Sequence, residues 1–277
     1  MTDRIVLEGP DARLEIRPDA GARMSSLVVD GQELLVTRGA GPLDWGCYPF
    51  APFAGRIRDG SFRFDGRSVR LATNDPPHAL HGTVFDQPWM VEAPDSLSVD
   101  LGPGWPFRGR LRQDFELTAG RLDASLRLEA TDRMPVVLGW HPWFRRRLAG
   151  TDAHPEPSSE AVELDFSATR MYERGPDGLP TGRLVDPTPP PWDDCFIGLG
   201  RPPRLTWPGR LTIELSSSAD HWVVYDEPVD ALCLEPQTGP PDAMNLGAAP
   251  VAEAGAALAV SMTWRWWSAG SAARRSD

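Results

Sequence analysis

Apolar and polar residues alternate along much of this chain with a period of two. In Ser61-Phe62-Arg63-Phe64 the phenylalanines fall on one side and the polar residues on the other. Asp65-Gly66 follows, a pair suited to the positive φ of a tight hairpin turn, and Val69 and Leu71 resume the apolar side. Leu111, Gln113, Phe115 and Leu117 largely keep the period, with Gln113 the polar member. After Ala119-Gly120 it returns strictly in Leu122, Ala124, Leu126 and Leu128. Asp30-Gly31 marks another hairpin, between Leu27-Val28-Val29 and Leu34-Leu35-Val36. Near the end, Leu258, Val260, Met262, Trp264 and Trp266 alternate again. No 3.6-residue stripe persists beyond about three turns. The 29 prolines and 26 glycines are spread along the chain, which leaves little room for long helices, since an interior proline costs about 3 kcal/mol. The pattern predicts an all-β protein, a large antiparallel β-sandwich. One domain is expected over residues 1–267, with 268–277 a disordered tail and exposed loops at 150–160 and 186–193.

Composition narrows the chemistry. Among 277 residues the 28 basic side chains are all arginine, against 39 acidic ones, for a net charge of −11. Without lysine there is no Schiff-base aldolase, no lysine-linked pyridoxal enzyme and no phosphate-gripping P-loop lysine. An acidic chain is poorly suited to nucleic acid. No apolar run nears the roughly 20 residues that span a membrane, and the first eight residues carry no signal-peptide core. Cys47, Cys195 and Cys233 form no C-x-x-C pair, so neither a disulfide framework nor a cysteine zinc site is expected. Together these features point to a cytoplasmic protein acting on a small molecule, without nucleic-acid or membrane partners, as a monomer or homodimer.

Four segments hold candidate chemistry. His78 and His81 lie in Asn74-Asp75-Pro76-Pro77-His78-Ala79-Leu80-His81-Gly82, and His141 in Trp140-His141-Pro142-Trp143-Phe144. His81 and His141 read as strand-to-loop positions, where catalytic groups are commonly mounted; the alternative is a surface or capping role. Glu235 ends the apolar run Ala231-Leu232-Cys233-Leu234 before a proline- and glycine-rich loop. Desolvation there would raise its pKa and make it a stronger base; the alternative is a solvated glutamate. Arg56, after Gly55, offers a forked donor to a hydroxyl or carboxylate, or else a surface ion pair. Trp89, Trp143 and Trp192 flank these segments as candidate sugar-stacking rings. Gly39-Ala40-Gly41 lacks the context of a dinucleotide site, and Arg145-Arg146-Arg147 reads as a solvated strand edge.

In this order the segments resemble the aldose 1-epimerase (galactose mutarotase) family. The matching pieces are Gly55-Arg56-Ile57 with Gly60, Asn74 through His81-Gly82, His141-Pro142-Trp143-Phe144, Asp193-Asp194-Cys195-Phe196, and Glu235-Pro236-Gln237 running on to Asn245. The resemblance implies a large β-sandwich that interconverts the α and β anomers of free sugars without a cofactor or metal. It implies Glu235 as general base on the anomeric hydroxyl, His141 as acid toward the ring oxygen and His81 as a second ring-side hydrogen bonder. Arg56 and Asp193, or Asp194 in its place, become sugar ligands, and Asn74 and Trp143 further substrate contacts. Two positions depart from the family: Gly55 stands where asparagine is common, and Val223 where a glutamine is often found.

Ring opening removes a proton from O1 and delivers one to O5. The expectation is a carboxylate base and an imidazolium acid on opposite sides of the ring, a charge state natural slightly below neutral pH. Three rivals accompany this reading. A hexose 6-phosphate epimerase needs further arginines, with Arg58 and the Arg145 cluster as candidates. A metal site would use His78 or His81 with His141 and Glu235, although positions 78 and 81 do not share a strand face. A non-catalytic carbohydrate-binding module gives Glu235 and two histidines no reason to meet.

Overall fold

The structure is a computed structural model and describes residues 4–151, 156–158 and 160–269. His154 and residues 270–277 lie outside this set. Ser268 ends a strand, and the Ala269 N–H donates to the Arg210 carbonyl at 2.8 Å, so the chain is held two residues into the expected tail.

Each hairpin read from turn chemistry is present. Arg23–Val29 turns through Asp30-Gly31 into Gln32–Glu33, and Ser61–Phe64 turns through Asp65-Gly66 into Arg67–Arg70. In both turns the Asp and Gly have positive φ, as a type I′ turn demands. Gly109–Thr118 pairs with Arg121–Ala130 through all ten positions.

Two antiparallel sheets stack face to face. The larger runs, edge to edge, Ile5–Glu8, Ala12–Arg17, Arg23–Val29, Cys47–Phe50, Gly139–Arg145, Ala231–Gln237, His221–Tyr225, Asp193–Leu199, Ala168–Arg174 and Pro180–Val185, with Gln32–Glu33 beside the third. The smaller runs Met90–Ala93, Ser96–Asp100, Gly109–Thr118, Arg121–Ala130, Ala257–Ser268, Leu211–Ser217, Arg204–Trp207 and Glu163–Asp165. Phe144 of the large sheet packs on Trp264 of the small one at 5.0 Å between ring centroids. Gln113, the polar member of its apolar stripe, ties the layers together. Its amide donates to the Ala22 carbonyl at 2.8 Å, and its oxygen accepts from Trp140 Nε1 at 3.1 Å. The described α-helix is one turn, Ala243–Leu246. No helix among the described residues is long and apolar enough to cross a membrane.

Strand parity then fixes the site. Trp140 and Phe144 point into the sandwich, so His141 and Trp143 face the other way. Ala231–Gln237 is buried along its whole length. One face meets the small sheet, and loops cover the other.

Candidate active site

The outer face of the large sheet carries two cross-strand rows. His141 pairs with Tyr48. The register that sets Gly139 against Gln237 and Trp143 against Cys233 brings His141 opposite Glu235. Glu235 pairs in turn with Val223, and Val223 with Cys195. In the second row Trp143 meets Cys233, Cys233 meets Tyr225 and Tyr225 meets Asp193. Both catalytic candidates therefore sit in mid-strand, not at strand ends as the sequence suggested. Pairing with Ala231–Gln237 lapses between Gly139 and Trp143, around Pro142, which has no N–H to donate.

All members of these rows except Cys233, which is sealed beneath, line a cavity of about 230 Å³, below the ~300–1,000 Å³ of drug-sized sites. At its base Glu235 Oε1 lies 3.2 Å from His141 Nε2, both side chains nearly sealed from solvent. The two groups stand side by side in direct polar contact. The expected arrangement on opposite sides of a sugar ring is thus replaced by adjacency, which matches O1 and O5, two oxygens on the same carbon. The His141 ring is sandwiched by Tyr48 at 4.9 Å and Trp143 at 5.2 Å, and met edge-on by His81 at 5.0 Å.

Three loop segments close over the floor through backbone bonds. Gly55 and His81 both take left-handed φ, +60° and +59°. They bond reciprocally: His81 N–H donates to the Gly55 carbonyl at 3.0 Å, and Gly55 N–H donates to His81 Nδ1 at 3.2 Å. The second bond leaves the ring proton on Nε2, so His81 is a fixed N–H donor. The loop after Glu235 clasps the same segment. Asp242 N–H donates to the Arg56 carbonyl at 2.8 Å, and Asp242 Oδ1 accepts from Arg58 N–H at 3.0 Å. A side chain at position 55 would meet Pro241 Cβ at 2.6 Å, so this closure accounts for glycine where the family commonly has asparagine. Arg56 reaches the cavity with its Nε held by Asp75 at 2.6 Å.

Burial dominates the electrostatics. It pushes the Glu235 carboxyl well above its ordinary range, helped by the nearby Asp193 charge and opposed by Arg56. It pushes His141 well below the ordinary imidazole range, with His81 and Arg23 adding to the effect. Arg23 is a fully buried cation behind Tyr48, 4.6 Å from that ring, its pKa lowered by burial to about 10. Burial also takes His81 down to about 3. Both shifts run toward a neutral carboxylic acid and a neutral imidazole, against the expected carboxylate and imidazolium. The cause is depth, since both ions would lose their water.

The cavity gathers Arg56, His81, His141, Trp143, Asp193 and Glu235. Asn74 stays outside: its side chain donates to the Leu80 carbonyl at 3.1 Å and accepts from the Leu80 N–H at 2.7 Å, shaping the turn that delivers His81. The anticipated sugar contact is instead a turn clamp. Trp89 and Trp192 do not line the cavity, and their indole N–H groups donate to the Val84 and Thr188 carbonyls at 3.0 and 2.8 Å. Trp143 lines the wall, but one of its faces is covered by His141. Asp194 pairs with Arg174 at 3.2 Å. Asp193 has no side-chain hydrogen bond among the described residues, and burial raises its pKa. His78 accepts from the Asp59 N–H at 3.1 Å. With His81 Nδ1 also occupied, the His78 or His81 metal set does not assemble. A different trio does: donor atoms of His141, Cys233 and Glu235 all lie within 4.8 Å of one another. Sequence reasoning missed Tyr48 and Arg174, which line the cavity, and Arg23 and Cys233, which lie buried behind its wall; long-range register brings them there.

A model of the family "Aldose 1-epimerase" matches residues 3–199, a stretch that includes Arg56, His81, His141 and Asp193 and ends before Glu235. The chain is 27% identical over 219 residues to the uncharacterized protein YphB of Escherichia coli (strain K12), covering 72% of this chain and 75% of that one. It is 31% identical over 141 residues to human galactose mutarotase, 48% of this chain and 40% of the human protein's length. Among solved structures, a putative aldose 1-epimerase from E. coli K12 superposes with a TM-score of 0.79 at 21% identity, over 96% of this chain and 99% of that one. The GalM/aldose epimerase homologue from C. elegans gives 0.78 at 16%, over 96% and 98%. At these identities the structural likenesses carry the fold, and the family match carries the ancestry: the chain belongs to the aldose 1-epimerase family.

Proposed function

We propose that this protein interconverts the anomers of a free aldose by ring opening and reclosure, with Glu235 and His141 moving the protons. The observation that supports this best is the buried 3.2 Å contact between them at the cavity floor. In its neutral form the pair has one proton to pass, that of the Glu235 carboxyl. Transfer from the Glu235 carboxyl to His141 along that contact generates base and acid without exchange with solvent, and Arg56 already favours the carboxylate form. Glu235 then takes the O1 proton and His141 gives its proton to O5. The C1–O5 bond breaks, C1=O forms, and the pair returns to its neutral state. After rotation about C1–C2 the reverse transfers reclose the ring on the other face. His81 Nε2–H, Arg56 and the unpaired Asp193 are the hydrogen-bonding groups for ring and hydroxyl oxygens.

Free sugars fit better than phosphorylated ones. In the cavity Arg56 faces Asp75 and Arg174 faces Asp194. Outside it, Arg58 pairs with Asp177 and Asp242, and Arg145 and Arg146 hold backbone carbonyls. Polarimetric mutarotation of a panel of aldoses and their 6-phosphates tests the reading. Glu235→Gln and His141→Asn are each expected to cut the rate by about 10²–10⁴-fold, the usual worth of one acid or base. A near-normal rate in either folded variant would remove these roles.

A further inference from the structure

We propose that the cavity floor is also a binding site for a thiophilic divalent cation, zinc foremost, held by Cys233, His141 and Glu235, and that occupancy switches the sugar chemistry off. The binding stands independently of the proposed function; the inhibition rests on it.

The site follows from strand geometry. Cys233 and Glu235 are two apart on Ala231–Gln237 and share its outer face. His141 is brought opposite Glu235 by the register of the adjoining strand. One sulfur, one imidazole nitrogen and one carboxylate oxygen thereby lie within 4.8 Å of one another, all three residues buried. A zinc ion bonded at ~2.0–2.3 Å to each donor draws them inward by side-chain rotation, while the ladder holds the backbone. Soft sulfur and borderline nitrogen select zinc, cobalt or copper over magnesium or calcium, which take all-oxygen shells. Three protein ligands leave a fourth position for water or a sugar oxygen. Glu235 and His141 line the cavity, so that position opens toward the substrate space.

Binding is a simple exchange. Metal–sulfur and metal–oxygen bonds form as the Cys233 thiol and Glu235 carboxyl each release a proton to solvent, and neutral His141 donates its nitrogen lone pair. The metal stays divalent and no oxidant is involved. Once coordinated, Glu235 can no longer accept from O1, and His141 has no proton for O5. Metal and sugar therefore compete.

Cys233 is outside the sugar chemistry, so its variants separate the two activities. Titration of metal-free protein with Co²⁺ is expected to give a thiolate-to-cobalt charge-transfer band in the near ultraviolet, saturating at one equivalent. Zn²⁺ should erase the band and suppress mutarotation, and a chelator should restore the rate. Cys233→Ala should keep the metal-free rate, lose the band and need at least ~10-fold more Zn²⁺ for half-inhibition. Cys233→Ser is the second variant should alanine fold poorly, with the same loss of the band. A band that persists in either variant would place the metal at Cys47 or Cys195 and overturn the proposal, as would no band in the wild type or an unchanged zinc response in the variants. If the cobalt results hold while the protein shows no mutarotation, the site stands and the proposed function falls.

Discussion

Glu235→Gln should make the protein more stable, by a margin that grows with pH. The substitution keeps the shape of the side chain and a polar neighbour for His141 Nε2, now 3.2 Å from a carboxyl oxygen. It removes an ionisable group whose folded pKa lies well above the ordinary value of 4.5. Between the unfolded and folded pKa values, the native state holds a proton that the unfolded chain has lost. Native stability therefore falls as pH rises through that window, by about 1.4 kcal/mol per pH unit for one group. The glutamine does not titrate, so the variant's advantage widens at that rate from about pH 4.5. It stops widening where Glu235 ionises inside the fold, and the plateau reads that pKa directly. At roughly 2–4 °C per kcal/mol for a chain of this class, each pH unit separates the melting temperatures by about 3–6 °C. Paired thermal melts of wild type and variant at successive pH values measure the effect. A gap constant from pH 5 upward, or a wild type that gains on the variant as pH rises, would show that burial does not destabilise the carboxylate, and would refute the neutral resting pair.

Other perturbations follow from particular contacts. Gly55→Ala forces a non-glycine residue to φ +60° with its Cβ 2.6 Å from Pro241; a loss of at least ~1 kcal/mol is expected in urea unfolding. Gln113→Ala strands the Trp140 Nε1 and the Ala22 carbonyl in the core. It should cost about 1–3 kcal/mol in the same assay, with the sugar KM unchanged. Asp75→Ala releases the Arg56 Nε and should raise KM several-fold with little change in kcat, as initial-rate polarimetry would show. Asn74→Ala removes both bonds to Leu80; because that turn presents His81, activity should fall even though Asn74 is outside the cavity.

Local features were legible in the sequence to the degree that their causes are local. Asp30-Gly31 and Asp65-Gly66 carry their turn geometry within two residues, and the alternation through Leu122–Leu128 needs no distant partner. The site is the opposite case. Tyr48 meets His141, and His141 meets Glu235, only because strands some ninety residues apart in sequence are neighbours in one sheet. The family resemblance brought Glu235, His141, His81 and Arg56 forward as motifs. It carried no register, so Cys233, Arg23 and the adjacency of acid and base stayed hidden. Asn74 was misread because an asparagine amide serves a turn as readily as a ligand. The direction in which burial moves the Glu235 and His141 protons was hidden because it depends on depth, a quantity that no motif records.

The strand Ala231–Gln237, buried on both faces at the centre of the large sheet, divides the labour of adaptation. Its amide hydrogens are shielded by neighbours on either side, so their exchange with solvent should follow global unfolding and not local opening. Proton-transfer groups anchored there cannot drift by fractions of an ångström without breaking the sheet. The clasp of residues 55–58, 74–82 and 239–245 is held instead by loop-to-loop bonds outside the ladder. Sequence change can therefore alter the cavity's rim at loop positions that make none of these bonds, while the strand beneath stays fixed.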